Sequence, residues 1–362
     1  MKPSIKKTLL GVTMAAVVSS PVIANEVRIY NWSDYIAEDT IEKFEAATGI
    51  RVIYDMFDSN EVLEAKVLAG NSGYDVVVPT ANYMARQIAA GAYQKVDMSK
   101  IPNYSNLDMD LMNTLRAYDR NLEYGVPWQW GTTGLGYNVD KIQEILGDDA
   151  PWESWDLLFN PEYASKLAQC GIAVLDSSGE VLPLALFYLG LDPNSISTAD
   201  YQKAEELMLS IRPYITYFHS SRYITDLANG DICLAMGWSG DVFIAQARAE
   251  EADRGVEIAY IIPEEGTAIW SDMMVIPADA RNVDNAHAWI NFALDAQIGA
   301  DITNYVWYGS PNLAAREFID PDILDDPGIF PEEDAELFTF EVLPPSVDRI
   351  RTRAWTRIKS SR

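Results

Sequence analysis

Three short segments place a tryptophan two or three residues before an aspartate: Trp32-Ser33-Asp34, Trp238-Ser239-Gly240-Asp241 and Trp270-Ser271-Asp272. Each segment borders an apolar run that predicts a strand, so each pair is expected at a strand edge. An ammonium group is stabilised over an aromatic ring by roughly 0.5–2 kcal/mol, and its hydrogen bond to a carboxylate contributes about 1.5–3 kcal/mol. Flat rings also bury methylenes. The three pairs therefore indicate a site for methylene chains that end in ammonium groups.

Each aspartate taken alone has a second interpretation. Ser33 or Asp34 could cap a helix by accepting a backbone N–H, which is the commoner role of such a residue at the end of a strand. Other ligands would need other residues. A sugar site would add Arg, Asn and Gln to the rings, and an amino-acid site would need an Arg or a helix N-terminus for the carboxylate.

Motifs of common enzymes are missing from the sequence. There is no G-x-S-x-G, no H-E-x-x-H and no G-x-x-x-x-G-K-[ST]. The two histidines, His219 and His287, are far apart in sequence, so no His-rich metal site is expected. We expect no catalytic residue, metal or cofactor. Paired acids could still serve a glycosidase, so a carboxylate-pair hydrolase is the alternative.

The chain begins with the features of an export signal. Three lysines precede the apolar run LLGVTMAAVV, which is too short to span a bilayer, and Val22-Ile23-Ala24 is a small-residue cleavage sequence. We expect residues 1–24 to be a signal peptide, cleaved after Ala24, and the protein to lie in a bacterial periplasm. No later apolar run is long enough for direct membrane insertion.

The charge balance restricts the partners. The chain has 54 acidic and 27 basic residues, a net charge of −27. Such a charge argues against nucleic acid and anionic membranes as partners and favours cations near the surface. Acidity that only keeps an exported protein soluble is an equally good explanation.

The two cysteines, Cys170 and Cys233, have two interpretations. In an oxidising compartment an even pair indicates one disulfide bond. Alternatively both are buried free thiols, since GDICLAMGW places Cys233 in a strand typical of a protein core.

The elements that must position these residues alternate between strand and helix. EVRIY, IRVIYDMF and YDVVVPT predict strands, with helices after each, which is typical of a parallel sheet. A second α/β set follows the extended segment VPWQWGTTGLGYN, which we expect to cross between lobes. VEIAYIIPEEGTAIWSDMMVIPAD predicts a second crossing. We therefore expect two α/β lobes, from residues 25–135 plus about 260–306 and from 136–259 plus about 307–362, with a ligand beyond the strand ends.

Several motifs together resemble one known family. RIYNWSDYI, YDVVVP, WGTTGLGYN, DLANGDICLAMGWSGD, MMVIPADARN, PNLAAREF and DRIRTRAWTRIK are similar to segments of the periplasmic polyamine-binding proteins, the putrescine and spermidine receptors of ABC importers. The resemblance covers nearly all of the chain after residue 24. It implies the type II periplasmic-binding-protein fold, a clamshell of two α/β lobes joined by hinge crossings that closes on its ligand.

The resemblance also implies a set of ligand-binding residues. By their motifs these are Trp32, Ser33, Asp34, Tyr35, Thr80, Glu180, Ser220, Trp238, Asp241, Trp270, Asp272 and Tyr308. Thr80 stands where the family often has Ser. The acids are expected to bind ammonium groups and the aromatic rings to form walls. Cys170 and Cys233 fall where some members of the family have a disulfide.

The function implied is capture of a polyamine, spermidine or putrescine, and its delivery to the membrane permease of an ABC importer. We expect a monomer that performs no chemistry. The rival with the same fold is a polyamine sensor that signals to a membrane protein, and one sequence does not distinguish the two partners.

Overall fold

The computed structural model describes residues 25–361. The predicted signal peptide, residues 1–24, lies outside these residues. Strands and helices alternate along most of the described chain, and the α/β class predicted from the sequence is confirmed. No described helix combines the length and the apolar character that crossing a membrane requires.

Twelve strands are present in residues 25–361, and most are short. They are β1 (Glu26–Trp32), β2 (Arg51–Phe57), β3 (Val76–Val77), β4 (Tyr93–Gln94), β5 (Val126–Asn138), β6 (Ile172–Val174), β7 (Tyr217–Phe218), β8 (Leu234–Trp238), β9 (Ile258–Ile261), β10 (Thr267–Met274), β11 (Ile276–Pro277) and β12 (Leu337–Phe338).

The α-helices between them carry several of the predicted site residues near their first turns. They are α1 (Thr40–Thr48), α2 (Asn60–Leu68), α3 (Ala81–Ala89), α4 (Met109–Leu115), α5 (Val139–Leu146), α6 (Asp156–Phe159), α7 (Pro161–Leu167), α8 (Ser178–Tyr188), α9 (Thr198–Ile211), α10 (Arg222–Ala228), α11 (Ser239–Ala252), α12 (Val283–Ala293), α13 (Ala296–Val306), α14 (Pro321–Leu324) and α15 (Pro345–Ser360).

The first sheet is parallel, in the order β2-β1-β3. Helix α1 connects β1 to β2 and ends where Gly49 adopts a left-handed conformation, φ 68°, which glycine adopts without steric cost. The apolar run YDVVVPT forms only a two-residue strand, β3. Val77 also bridges to Val275, so the segment after β10 extends this sheet.

Strand β5 joins the two halves of the molecule. Its first half pairs antiparallel with β10, and its second half pairs antiparallel with β8 and β9. The segment predicted to cross between lobes is therefore a continuous 13-residue strand. Strand β10 runs alongside it, as expected for the second crossing.

Two hydrophobic cores divide the chain. Residues 27–128 and 273–308 contribute to the first core, and this part is called lobe 1. Residues 135–268 and 340–358 contribute to the second, and this part is called lobe 2. A small cluster around Phe243, Ala300 and Ile319 lies apart from both. Tyr308, expected at the start of lobe 2, packs in the first core, and the lobe limits given by the sequence stay a prediction.

A disulfide bond joins Cys170 to Cys233, with their Cα atoms 5.5 Å apart. It joins the segment just before β6 to the residue before β8, and these two strands are parallel neighbours in the sheet of lobe 2. The disulfide interpretation is thus confirmed and the free-thiol interpretation is wrong.

The third tryptophan-acid pair is not at a strand edge, contrary to the sequence prediction. Trp270 and Asp272 lie inside β10, and the pairing of β10 with β5 shifts register between Ser271 and Met273. A register irregularity of this kind bends a strand and changes the direction of a side chain. It places Asp272 opposite Thr80, with which it forms an isolated bridge.

Candidate functional site

A cavity lies where the two lobes meet. Trp238 and Trp270, which line it, pack against both cores. The lining residues are Trp32, Ser33, Tyr35, Asn60, Thr80, Asn82, Tyr83, Ser177, Gly179, Glu180, Trp238, Asp241, Trp270, Asp272, Tyr308 and Phe340.

Asp272 is held by two hydroxyl groups of lobe 1. Its Oδ1 accepts a hydrogen bond from Thr80 Oγ1 at 2.7 Å, and its Oδ2 accepts one from Tyr35 Oη at 2.9 Å. The residue is only 3% exposed. Both donors are neutral, so the carboxyl group is oriented but its charge is not balanced.

Asp241 is held in the same way in lobe 2. It lies in the first turn of α11 and accepts hydrogen bonds from Tyr223 Oη and Tyr308 Oη, each at 2.7 Å. The Tyr308 ring packs directly against Gly240, where an added Cβ would lie 2.3 Å from the ring. A glycine at this position therefore allows Tyr308 to reach Asp241.

Glu180 is the third buried carboxyl group, in the first turn of α8. Its Oε1 accepts hydrogen bonds from Trp238 Nε1 at 2.8 Å and from the Thr133 hydroxyl. The same Thr133 oxygen accepts a hydrogen bond from Trp270 Nε1 at 3.1 Å. Two wall tryptophans are thus fixed by Glu180 of lobe 2 and by Thr133 of the crossing strand β5.

Burial dominates the electrostatics of the three acids. It raises the pKa of Glu180, Asp241 and Asp272 to about 7 each, while their hydroxyl and indole donors lower it. Among residues 25–361, none of the side chains that line the cavity is basic. The cavity therefore concentrates acidic groups without a cation of the protein to balance them.

The aromatic residues form connected walls around these acids. The Trp32 and Trp238 ring centroids are 5.3 Å apart at 75°, and those of Trp270 and Tyr308 are 5.7 Å apart. Tyr35 meets Tyr308 edge to face at 4.9 Å. Trp32 is fixed by a hydrogen bond from its Nε1 to the Val78 carbonyl, 2.8 Å long. The rings come from both lobes, so they meet only where the lobes do.

Two of the predicted ligand-binding residues do not line the cavity. Asp34 adopts a left-handed conformation, φ 52°, and pairs with Arg248 of α11 at 2.5 Å on the surface. Ser220 is buried behind the cavity, where its Oγ accepts a hydrogen bond from the Asp176 N–H. The other ten residues predicted from the sequence surround the cavity together.

Several lining residues were missed by the sequence. Asn82 and Tyr83 lie in the first turn of α3, Ser177 is the N-cap residue of α8, and Phe340 comes from the segment before α15. None of them belongs to a tryptophan-acid pair, so the pattern that located the site gave no signal for them. The position of Tyr83, three residues after Thr80 in the first turn of α3, was the available clue.

Comparisons with known proteins agree with this architecture. A family described as bacterial extracellular solute-binding protein matches residues 39–331. The chain belongs to this family. It is 52% identical, over 98% of both chains, to the putrescine-binding periplasmic protein SpuD of Pseudomonas aeruginosa. It is 48% identical, over 99% of both, to the putrescine-binding periplasmic protein PotF of Escherichia coli.

A solved structure also matches. The spermidine/putrescine substrate-binding protein PotD of Streptococcus pneumoniae superimposes with a TM-score of 0.73 at 27% identity, over 92% of this chain and 98% of that chain. The protein is a solute-binding protein with the type II periplasmic-binding-protein fold, as the resemblance implied.

Proposed function

We propose that this protein captures a polyamine, putrescine or spermidine, in the cavity between its lobes. The observation that supports the proposal is the set of three buried carboxyl groups with no basic side chain lining the same cavity. An ammonium group is the ligand that balances such charge, because it donates to carboxylates and packs on ring faces. Asp272, Asp241 and Glu180 would bind the ammonium groups.

The remaining lining residues would contact the chain between the nitrogens. Trp32, Trp238, Trp270 and Tyr308 offer ring surface to methylenes, each worth about 0.8 kcal/mol when buried. Ser33, Tyr35 and Thr80 carry hydroxyl groups at the lobe 1 side of the cavity. Asp34 and Ser220 are left out of this proposal, because neither lines the cavity.

Delivery to the permease of an ABC importer is supported by relatives. SpuD and PotF are named as putrescine-binding periplasmic proteins. We propose the same compartment and role here, with residues 1–24 removed as a signal peptide during export. Sequencing the amino terminus of the mature protein should give Asn25 as the first residue.

Calorimetry tests the ligand directly. The protein is titrated with putrescine, spermidine, a sugar and an amino acid under the same conditions. Binding of one or both polyamines, with no heat from the sugar or the amino acid, is the expected result. Binding of an uncharged ligand alone would contradict the proposal.

The proposed role includes no chemistry. Among the described lining residues there is no histidine or cysteine, so the hydrolase alternative would have to use the three carboxyl groups themselves. A bound polyamine should be recovered unchanged, by mass, after prolonged incubation and denaturation of the complex. A new product would support the hydrolase alternative.

A further inference from the structure

A fourth acid, Glu61, lies directly behind one wall of the cavity. It is in the first turn of α2, and its Oε1 accepts hydrogen bonds from Tyr83 Oη at 3.0 Å and from Ser177 Oγ at 3.2 Å. Its Oε2 is shielded from solvent and has no hydrogen-bond partner among the described residues. Tyr83 belongs to lobe 1 and Ser177 to lobe 2, so Glu61 bonds to both sides of the cleft.

The two donors themselves line the cavity. A hydroxyl group that donates its hydrogen to a carboxylate keeps its lone pairs free to accept. Glu61 therefore orients Tyr83 and Ser177 as acceptors, and an ammonium group is a donor only. Thr80 and Tyr35 donate to Asp272 in the same manner.

The wall of the ligand cavity formed by Tyr83 and Gly179 is thin. A Cβ added to Gly179 would lie 2.7 Å from Tyr83 Oη and 3.8 Å from Glu61 Oε1. A second cavity lies beyond it, and both cavities are lined by Tyr83 and Gly179.

Glu61 lies near the Glu180 end of the cavity, because its donor Ser177 is the N-cap residue of α8 and Glu180 is in the first turn of that helix. The negative charge of Glu61 contributes to raising the pKa of Glu180. The positive charge of Arg86 lowers the pKa of Glu61. The Arg86 guanidinium itself forms ion pairs with Glu64 at 2.5 Å and with Asp348 at 3.2 Å. Arg351 also lines the second cavity, where its Nε donates a hydrogen bond to Tyr201 Oη at 2.9 Å.

We propose that Glu61, acting through Tyr83 and Ser177, forms an additional ammonium position at the Glu180 end of the cavity and selects a triamine over a diamine. The inference rests on the proposed polyamine function. Putrescine spans roughly 6 Å between its nitrogens and spermidine roughly 11 Å between its end nitrogens, by standard bond geometry. The longer chain must extend past the inner three acids, and the thin wall is the side toward which it extends.

Glu61→Gln is the test, with putrescine and spermidine titrated separately. The glutamine keeps the size of the side chain and removes the charge. We expect spermidine binding to weaken by about 10-fold, the size of one charge-assisted hydrogen bond, and putrescine binding by less than about 3-fold. Tyr83→Phe, which keeps the ring and removes the hydroxyl group, should shift the ratio of the two dissociation constants in the same direction.

Glu42→Gln is the matched control. Glu42 is an exposed glutamate on α1 of lobe 1 and does not line the ligand cavity, so both affinities should be unchanged. Equal losses for both ligands in Glu61→Gln would show that Glu61 only holds the lobes together, and unchanged affinities would show that it plays no part. Either result overturns the inference. Failure of the wild-type protein to bind putrescine or spermidine would instead overturn the proposed function.

Discussion

Two identical triplets of the chain have opposite surroundings. Trp32-Ser33-Asp34 follows the end of β1, and there the aspartate turns outward, is 33% exposed and pairs with Arg248. Trp270-Ser271-Asp272 lies inside β10, and there the aspartate is 3% exposed and is held only by neutral hydroxyl groups. The tryptophan of each triplet lines the cavity, while the acid does so only in the second.

Backbone conformation explains the difference. Asp34 has φ 52°, and this left-handed residue lies outside the cavity although its neighbours Ser33 and Tyr35 line it. In β10 the register shift between Ser271 and Met273 redirects Asp272, which bridges to Thr80 and lines the cavity together with Trp270. An acid that already pairs with an arginine has less to gain from a ligand cation. A buried acid that has no cation beside it is free to bind one. The two aspartates therefore differ: Asp34 forms an ion pair, and Asp272 is available to a cationic ligand.

The pH dependence of binding is the largest effect expected from this difference. Burial raises the pKa of Asp241, Asp272 and Glu180 to about 7, and a cation binds their deprotonated form. If one of these groups must lose its proton, affinity should rise about 30-fold between pH 5.5 and pH 8. Titrations across this range, in buffers of different ionisation enthalpy, should also detect proton release on binding.

In the ligand-free protein, the stability that these three groups contribute decreases as pH rises, whereas the ligand affinity increases. Because the folded state binds more protons than the unfolded state between pH about 4 and about 7, the stability from these groups is present below pH 4. It is lost as pH rises through 7. Polyamine should therefore raise the melting temperature more at pH 8 than at pH 5.5. A flat affinity profile would mean that the three groups are already ionised.

Removing one buried charge should have the next largest effect. Asp272→Asn keeps the shape of the side chain and should weaken polyamine binding by at least about 10-fold, because one ionic hydrogen bond exceeds the 1.4 kcal/mol that this factor requires. Calorimetry measures it, with circular dichroism to verify the fold. Unchanged affinity would remove Asp272 from the site.

The sequence located most of the site because the site repeats one pattern. The paired aromatic and acidic residues, together with the resemblance, named ten residues that surround one cavity. It did not separate Asp34 from Asp272, because the triplets are identical and only a left-handed residue and a register shift distinguish them. Tyr83, Ser177 and Phe340 were missed, since they approach only when lobes from distant parts of the chain meet.

The wall beside Asp272 should affect which polyamine binds. An indole gives a larger and stronger cation-binding face than a phenyl ring, which suits a longer chain with a middle ammonium. We expect spermidine to bind at least as tightly as putrescine. Trp270→Phe should shift the ratio toward putrescine by about 1–2 kcal/mol, since the ionic contacts remain.

Both ligands are measured on both proteins to test this expectation. Trp270 Nε1 also donates to Thr133, which holds Glu180, so Thr133→Val shows how much of any change comes through that hydrogen bond. An unchanged ratio of dissociation constants in Trp270→Phe would mean that the Trp270 ring does not determine the preference for a longer or shorter polyamine.

The smallest effect is expected for the other triplet. Asp34→Asn removes an ion pair between partly exposed groups, 33% and 42% exposed, and such pairs contribute about 0–1 kcal/mol. The pair joins lobe 1 to α11 of lobe 2, so its loss should favour the open form slightly and weaken polyamine binding by less than about 5-fold. Arg248→Gln should have the same effect, and the double variant should be no weaker than either one, because both substitutions break one contact. A 10-fold loss in Asp34→Asn with little change in Arg248→Gln would show that Asp34 binds the ligand itself, and the two triplets would then share one role.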